Sequence, residues 1–239
     1  MTEQLNPLFD VLDTATHIFR GRLEAVKNNG GLTEEQYIRY LSMQYHLTHG
    51  VQWFFLTMLA NPCFEGRRKF RNFLYNFALE EEPHAGMALR DLEAMGQNPL
   101  PKPLDVALWW SYFRGNVQER PFLRIGAAFI LENLGTGIKD IGHDLLDGSS
   151  ASSFLNERNT RFLIVHMHEE LPHGDQIIAA LSEIKLTDQE RADLVTGARQ
   201  GAIMYLRMAD WALGVDPLQT AFAAEQEVLP TGSLSSASS

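Results

Sequence analysis

Apolar residues recur at helical spacing along almost the whole chain, and no segment alternates as a strand would. Leu5, Leu8, Leu12, Ala15, Phe19, Leu23 and Val26 follow one another at intervals of three and four. At about 3.6 residues per turn they share one face and predict a first helix. Asn28-Asn29-Gly30-Gly31 stops it. Thr33 with Gln36 has the spacing of a capping box and opens a second helix, running to about Ala60 before Asn61-Pro62. A third helix is predicted from about Glu65 to Met95, with Pro83 inside it and Gly96 as its stop. After the stiff loop Asn98-Pro99-Leu100-Pro101-Lys102-Pro103, a fourth helix covers about Leu104 to Asn116. A fifth covers about Glu119 to Leu146, with Gly135-Thr136-Gly137 as a candidate interruption. Beyond the turn Asp147-Gly148-Ser149-Ser150, a sixth helix runs from about Ser152 to Glu170 and a shorter one from about Gly174 to Ile184. Thr187 with Glu190 forms a second capping box and opens a last helix to about Leu213.

Seven to eight long helices, each with an apolar stripe to bury, predict an all-α bundle. The chain has 239 residues and is 45% hydrophobic, enough for one sizeable core. The expected organisation is one domain over 1–231 and a small, polar, disordered tail over 232–239. A net charge of −10 argues against nucleic acid as the main partner. The lone Cys63 excludes an intrachain disulfide framework and a Cys-rich zinc site, and it is read as structural. No run of about 18 apolar residues exists, so no membrane span is expected. Met1-Thr2-Glu3-Gln4 lacks a basic n-region and an apolar h-region, so the expected location is cytoplasmic. There is no GxGxxG or Walker A loop, no GxSxG elbow and no His-Glu-x-x-His.

Two segments nearly repeat each other: Glu80-Glu81-Glu82-Pro83-His84, and His166-Met167-His168-Glu169-Glu170-Leu171-Pro172-His173. Each combines carboxylates with a histidine placed directly after a proline. Glu81 and His84 are spaced i, i+3, so both can reach one metal from one helix face; Glu80 and His84 offer a second pairing at i, i+4. His166, Glu170 and His173 are spaced i, i+4, i+7 and return to one face after two turns. Glu132 ends the apolar run from Ile125 to Leu131. A carboxylate in such surroundings needs a partner, and a metal would supply one. Carboxylates and imidazoles converging from several helices are what a di-iron or di-manganese site needs. The alternatives are a solvated acidic face, a surface patch of ion pairs, and a helix-end carboxylate facing water or an arginine. Gln44, His46 and His49 on the second helix either complete the site or line a cavity beside it. His17 falls on the polar face of the first helix and is expected to be exposed. Phe54, Phe55, Phe73, Phe77, Trp109, Trp110 and Phe129 are read as core, with cavity lining as the alternative.

Glu81-x-x-His84, the following Leu89, Leu92, Met95 and Gly96, then Glu132, then His166-x-x-x-Glu170-x-x-His173 resemble the heme-oxygenase-like di-iron oxidases. That family belongs with heme oxygenase, thiaminase II and pyrroloquinoline-quinone synthase in one superfamily. The resemblance covers about residues 30 to 215. It implies a heme-oxygenase-like bundle and two Fe (or Mn) ions, with one or both occupied. Their ligands would be Glu81, His84, Glu132, His166, Glu170 and His173. The implied partners are O2 and a small organic substrate oxidised in the bundle core, with a homodimer left open. The chain departs from the pattern twice. The middle acid of the last motif is usually Asp and here is Glu170. The carboxylate that members carry early in the bundle is absent from helix two, where Gln44, His46 and His49 stand. The alternative function is a metal-free enzyme or binding protein like thiaminase II or pyrroloquinoline-quinone synthase. Heme oxygenase activity itself is not expected, because the heme ligand would have to come from the first helix, where His17 is exposed.

Overall fold

A computed structural model describes residues 2–148, 150–167 and 173–217. Among them there are no strands and eleven α-helices: α1 Asn6–Asn28, α2 Glu34–Thr48, α3 Gln52–Leu59, α4 Arg68–Glu81, α5 His84–Ala94, α6 Leu104–Asn116, α7 Pro121–Leu134, α8 Lys139–Leu146, α9 Arg161–Met167, α10 His173–Ser182 and α11 Asp188–Leu213. Three junctions are breaks within longer rods: α2 to α3, α4 to α5, and α7 to α8. Counting each broken pair once gives eight rods, the bundle the periodicity predicts.

Each departure from the expected boundaries has a local cause. The second helix does not run on to Ala60, because Gly50 takes φ +83°, a conformation that favours glycine, and helix resumes only at Gln52. The third helix divides at Glu82-Pro83, where proline lacks the N–H that would bond back to Leu79. The interruption after Leu134 is present as a short 3-10 turn, Thr136–Ile138. The sixth helix starts nine residues later than predicted, at Arg161. Asparagine side chains hold the preceding segment in turns: Asn156 N–H donates to Asn159 Oδ1 at 2.8 Å, and Asn159 Nδ2 donates to the Phe154 carbonyl at 2.8 Å. Both capping boxes form. Thr33 N–H donates to Gln36 Oε1 at 3.0 Å, and Thr187 N–H donates to Glu190 Oε2 at 2.8 Å.

α7 and α11 form the centre of the packing, with α1 and α2 against α11, α10 against α7 and α4, and α5 against α2 and α9. The α7–α11 approach depends on glycine. A Cβ at Gly126 would lie 2.0 Å from the Leu194 carbonyl oxygen, and one at Gly197 would lie 1.9 Å from that of Leu123. The two backbones therefore touch with no side-chain layer between them. Phe54, Phe55, Phe77, Trp109 and Phe129 are fully buried, as the core reading expects; Phe73 and Trp110 pack partly buried against them. No helix among the described residues is long and apolar enough to cross a membrane.

Candidate metal centre

The predicted residues converge from four of the rods. Glu81 is the last residue of α4 and His84 the first of α5, so the Glu-x-x-His unit straddles the break at Pro83. His166 comes from α9, and His173 is the first residue of α10. Residues 168–172 between them lie outside the described residues. Glu132 sits in the last turn of α7. Glu170 lies outside the described residues, as do His168 and Glu169.

The side chains meet in the interior. Glu81 and His84 are 5% and 4% exposed. His84 Nδ1 is 3.0 Å from Glu81 Oε2. His173 Nδ1 lies 3.3 Å from both Glu81 Oε1 and Glu132 Oε2, and its Nε2 lies 3.4 Å from Glu80 Oε2. The His84 ring centroid is 4.8 Å from that of His166 and 5.8 Å from that of His173. Glu81, Glu132 and His173 each bring one donor atom within 4.8 Å of the other two. Glu80, first considered only as an alternative partner for His84, approaches the same point from the residue before Glu81.

The electrostatics follow from the crowding. Burial would raise the Glu81 pKa, but His173 and His84 outweigh it and hold the carboxyl at about 2. Burial together with the charge of Glu81 pushes Glu132 upward. Burial would lower His173, yet Glu132 and Glu81 prevail and raise it to about 11, so without a metal it carries the positive charge that balances the carboxylates. Burial would lower His84 too, but its bond to Glu81 raises it. His166 is different. Burial and the neighbouring His84 lower it to about 4, so it is neutral near pH 7. Its Nδ1 donates to the Phe162 carbonyl at 2.6 Å, which leaves the Nε2 lone pair free.

The residues present fit a metal. Glu80 Oε2, Glu81 Oε1 and His173 Nδ1 are buried without a hydrogen-bond partner among the described residues. The 3.3 Å approaches to His173 bring opposite charges together but are not aligned as hydrogen bonds. Glu81, Glu132 and His173 each aim one donor atom into one volume, a donor set suited to a transition metal.

A cavity of about 230 Å³ opens beside the cluster. Its walls include Tyr40, Met43, Gln44, Leu47 and Val51, the site residues Glu81, His84, Glu132 and His166, and Trp109, Arg124 and Tyr205. Of the three candidates on helix two, Gln44 is buried in this wall and its Nε2 donates to the Tyr205 hydroxyl at 3.3 Å. The His46 ring bonds instead to the Leu100 carbonyl at 2.7 Å, and His49 is exposed; neither lines the cavity. His17 is exposed, as expected. Cys63 does not line the cavity, and burial pushes its thiol up to about 11.

No family model matches the chain, and no curated protein matches it. Among solved structures, the chain is similar to a domain of unknown function with a heme oxygenase-like fold from Shewanella denitrificans. The TM-score is 0.72 at 17% identity, over 96% of each chain. The molecule therefore has a heme oxygenase-like, all-α fold.

Proposed function

We propose that the protein is a non-heme oxidase that holds two iron or manganese ions and uses O2 to oxidise a small organic molecule in the adjoining cavity. The observation that carries this reading is the convergence of Glu81, Glu132 and His173, whose donor atoms lie within 4.8 Å of one another in the interior. Glu81, His84, Glu132, His166 and His173 would hold the metal, joined by Glu80 and by Glu170 from outside the described residues. Bound iron or manganese would supply the O2 chemistry that these side chains cannot. The protein's own tasks are local. The Phe162 carbonyl fixes the His166 ring with its proton on Nδ1. Burial keeps that ring neutral and ready to bind. The apolar walls exclude water, and the Gln44–Tyr205 bond gives the cavity one polar side. Glu80 brings a carboxylate to a cluster that lacks the family's acid on helix two.

A metal-free small-molecule enzyme is the second reading. It is favoured by the His173 imidazolium, which offsets part of the carboxylate charge without a metal. A thiaminase-like version lacks its nucleophile, because Cys63 is outside the cavity with a raised pKa. Metal content separates the readings. In protein purified without chelators from iron-supplemented cells, His173→Ala is expected to lower bound iron by roughly 10-fold or more, while His17→Ala leaves it unchanged. Equal iron in wild type and both variants, or none in any of them, would favour the metal-free reading.

A further inference from the structure

The cavity holds a second set of unmatched polar atoms, on a cation that feels the charges of Glu132 and Glu81 without pairing with either. Arg124 is 3% exposed, yet its Nε and Nη1 have no hydrogen-bond partner among the described residues. No carboxylate among the described residues lies within ion-pair distance of it. Aromatic faces surround the guanidinium: its Cζ is 5.0 Å from the Phe54 centroid, 5.1 Å from Phe55, 5.5 Å from Trp109 and 5.9 Å from Phe113. These faces attract the charge but cannot accept the N–H groups edge-on as an oxygen would. Trp109 is fully buried, and its Nε1–H also lacks a partner. Both side chains line the cavity. Burial lowers the Arg124 pKa only to about 10, so the group stays charged near neutrality.

From this geometry we infer that Arg124 and the Trp109 indole form an anion subsite, which holds the carboxylate of an otherwise apolar ligand. A single buried cation calls for a single negative charge. A dianionic phosphate would bring an uncompensated charge into apolar walls. The guanidinium fork suits a carboxylate, which can accept two parallel N–H bonds, and the indole N–H adds a third donor. Arg124 and Glu132 share α7 at a separation of eight residues, about 12 Å along the axis at about 1.5 Å per residue. Met43, Leu47, Val51 and Leu131 supply apolar wall in the same cavity. A monocarboxylate anchored at Arg124 therefore lays its hydrocarbon chain toward the cluster. Its acid group stays off the metal, and a carbon remote from the carboxyl is the one exposed to chemistry. That last consequence rests on the proposed oxidase function; the anion subsite does not.

The test uses the full chain after chelation, so that no metal contributes, and follows binding of octanoate, 1-octanol and octylamine by titration calorimetry. Octanoate is expected to bind at least roughly 10-fold more tightly than either neutral or cationic analogue. Trp109→Phe should weaken octanoate severalfold, and Arg124→Met should abolish the preference over 1-octanol. The inference is overturned if octanoate does not bind wild type, binds no better than 1-octanol, or keeps its preference in Arg124→Met. Should Arg124→Met fail to fold, the wild-type ranking and Trp109→Phe decide. Iron content is measured in parallel: octanoate selectivity in a protein that takes up no iron would sink the oxidase reading and leave the subsite standing.

Discussion

Glu81, His84, Glu132, His166 and His173 crowd acids and imidazoles into one apolar interior, while Glu170 lies outside the described residues. What made them legible was conflict: a carboxylate ending an apolar run, and histidines repeated beside acids. The same argument marks Arg124, a lone charge in Phe122-Leu123-Arg124-Ile125, yet the motif search passed over it because arginine is no metal ligand. His46 and His49 were misleading for the opposite reason. Spacing alone does not say which face of a helix turns inward, and the Leu100 carbonyl claims the His46 ring. A supporting residue was equally invisible. Asp91 on α5 is 1% exposed and accepts the Phe162 backbone N–H at 2.7 Å, capping α9 from another helix. It thereby holds the start of the helix that carries His166. Asp91→Ala is expected to cost about 1–2 kcal/mol in chemical denaturation, with Asp91→Asn closer to wild type because it keeps an acceptor oxygen. An unchanged denaturation midpoint in Asp91→Ala would remove the capping role.

The existence and order of the helices were readable from periodicity and caps, as were the breaks at Pro83 and after Leu134, which proline and paired glycines announce. The break at Gly50 was not, because one glycine sits inside a continuous apolar pattern. Gly50 takes a positive φ and Pro83 removes one amide, although apolar spacing continues through both. The break at Pro83 matters most, since it sets Glu81 and His84 on either side of a junction. The glycines of α7 and α11 carry a different message, which a single helix cannot reveal: their value appears only when two backbones meet. Gly197→Ala would drive a methyl into the Leu123 carbonyl, for which no flexible side chain can yield. A loss of about 1–3 kcal/mol or more is expected from thermal or urea unfolding. Gly21 on α1 has nothing within 4 Å of the added carbon, and there alanine should gain roughly 0.5–1 kcal/mol through helix propensity. Similar effects at the two positions would mean that the close α7–α11 contact is wrong.

For the whole molecule, how charge balances in the interior depends on which side chains the fold brings together and cannot be read from composition. Three carboxylates are gathered around His173, and the chain's overall charge of −10 says nothing about that concentration. A divalent ion that binds only the folded cluster should stabilise the protein by mass action. At about 100 times its Kd the gain is about 2.7 kcal/mol, or roughly 5–10 °C in Tm for a chain of this size. Anaerobic Fe(II) or Mn(II) is expected to produce that rise. Mg(II) should give much less, since imidazole ligands suit transition metals better. The His166→Ala/His173→Ala double variant should show none. A melting curve unmoved by Fe(II) and Mn(II) well above micromolar would contradict metal binding at this cluster. The glycine contact, finally, decides which walls of the cavity are able to part. α7 and α11 cannot slide past one another without driving carbonyls into α-carbons, so the helices that carry Arg124, Glu132 and Tyr205 behave as a stationary jaw. The passage of a solute to the interior falls to the opposing walls, α2, α8 and α9, which are packed through side chains that can change rotamer. The protein is in this sense a vise with one fixed side, on which Arg124, Glu132 and Tyr205 stand, and any widening of the cavity falls to the other.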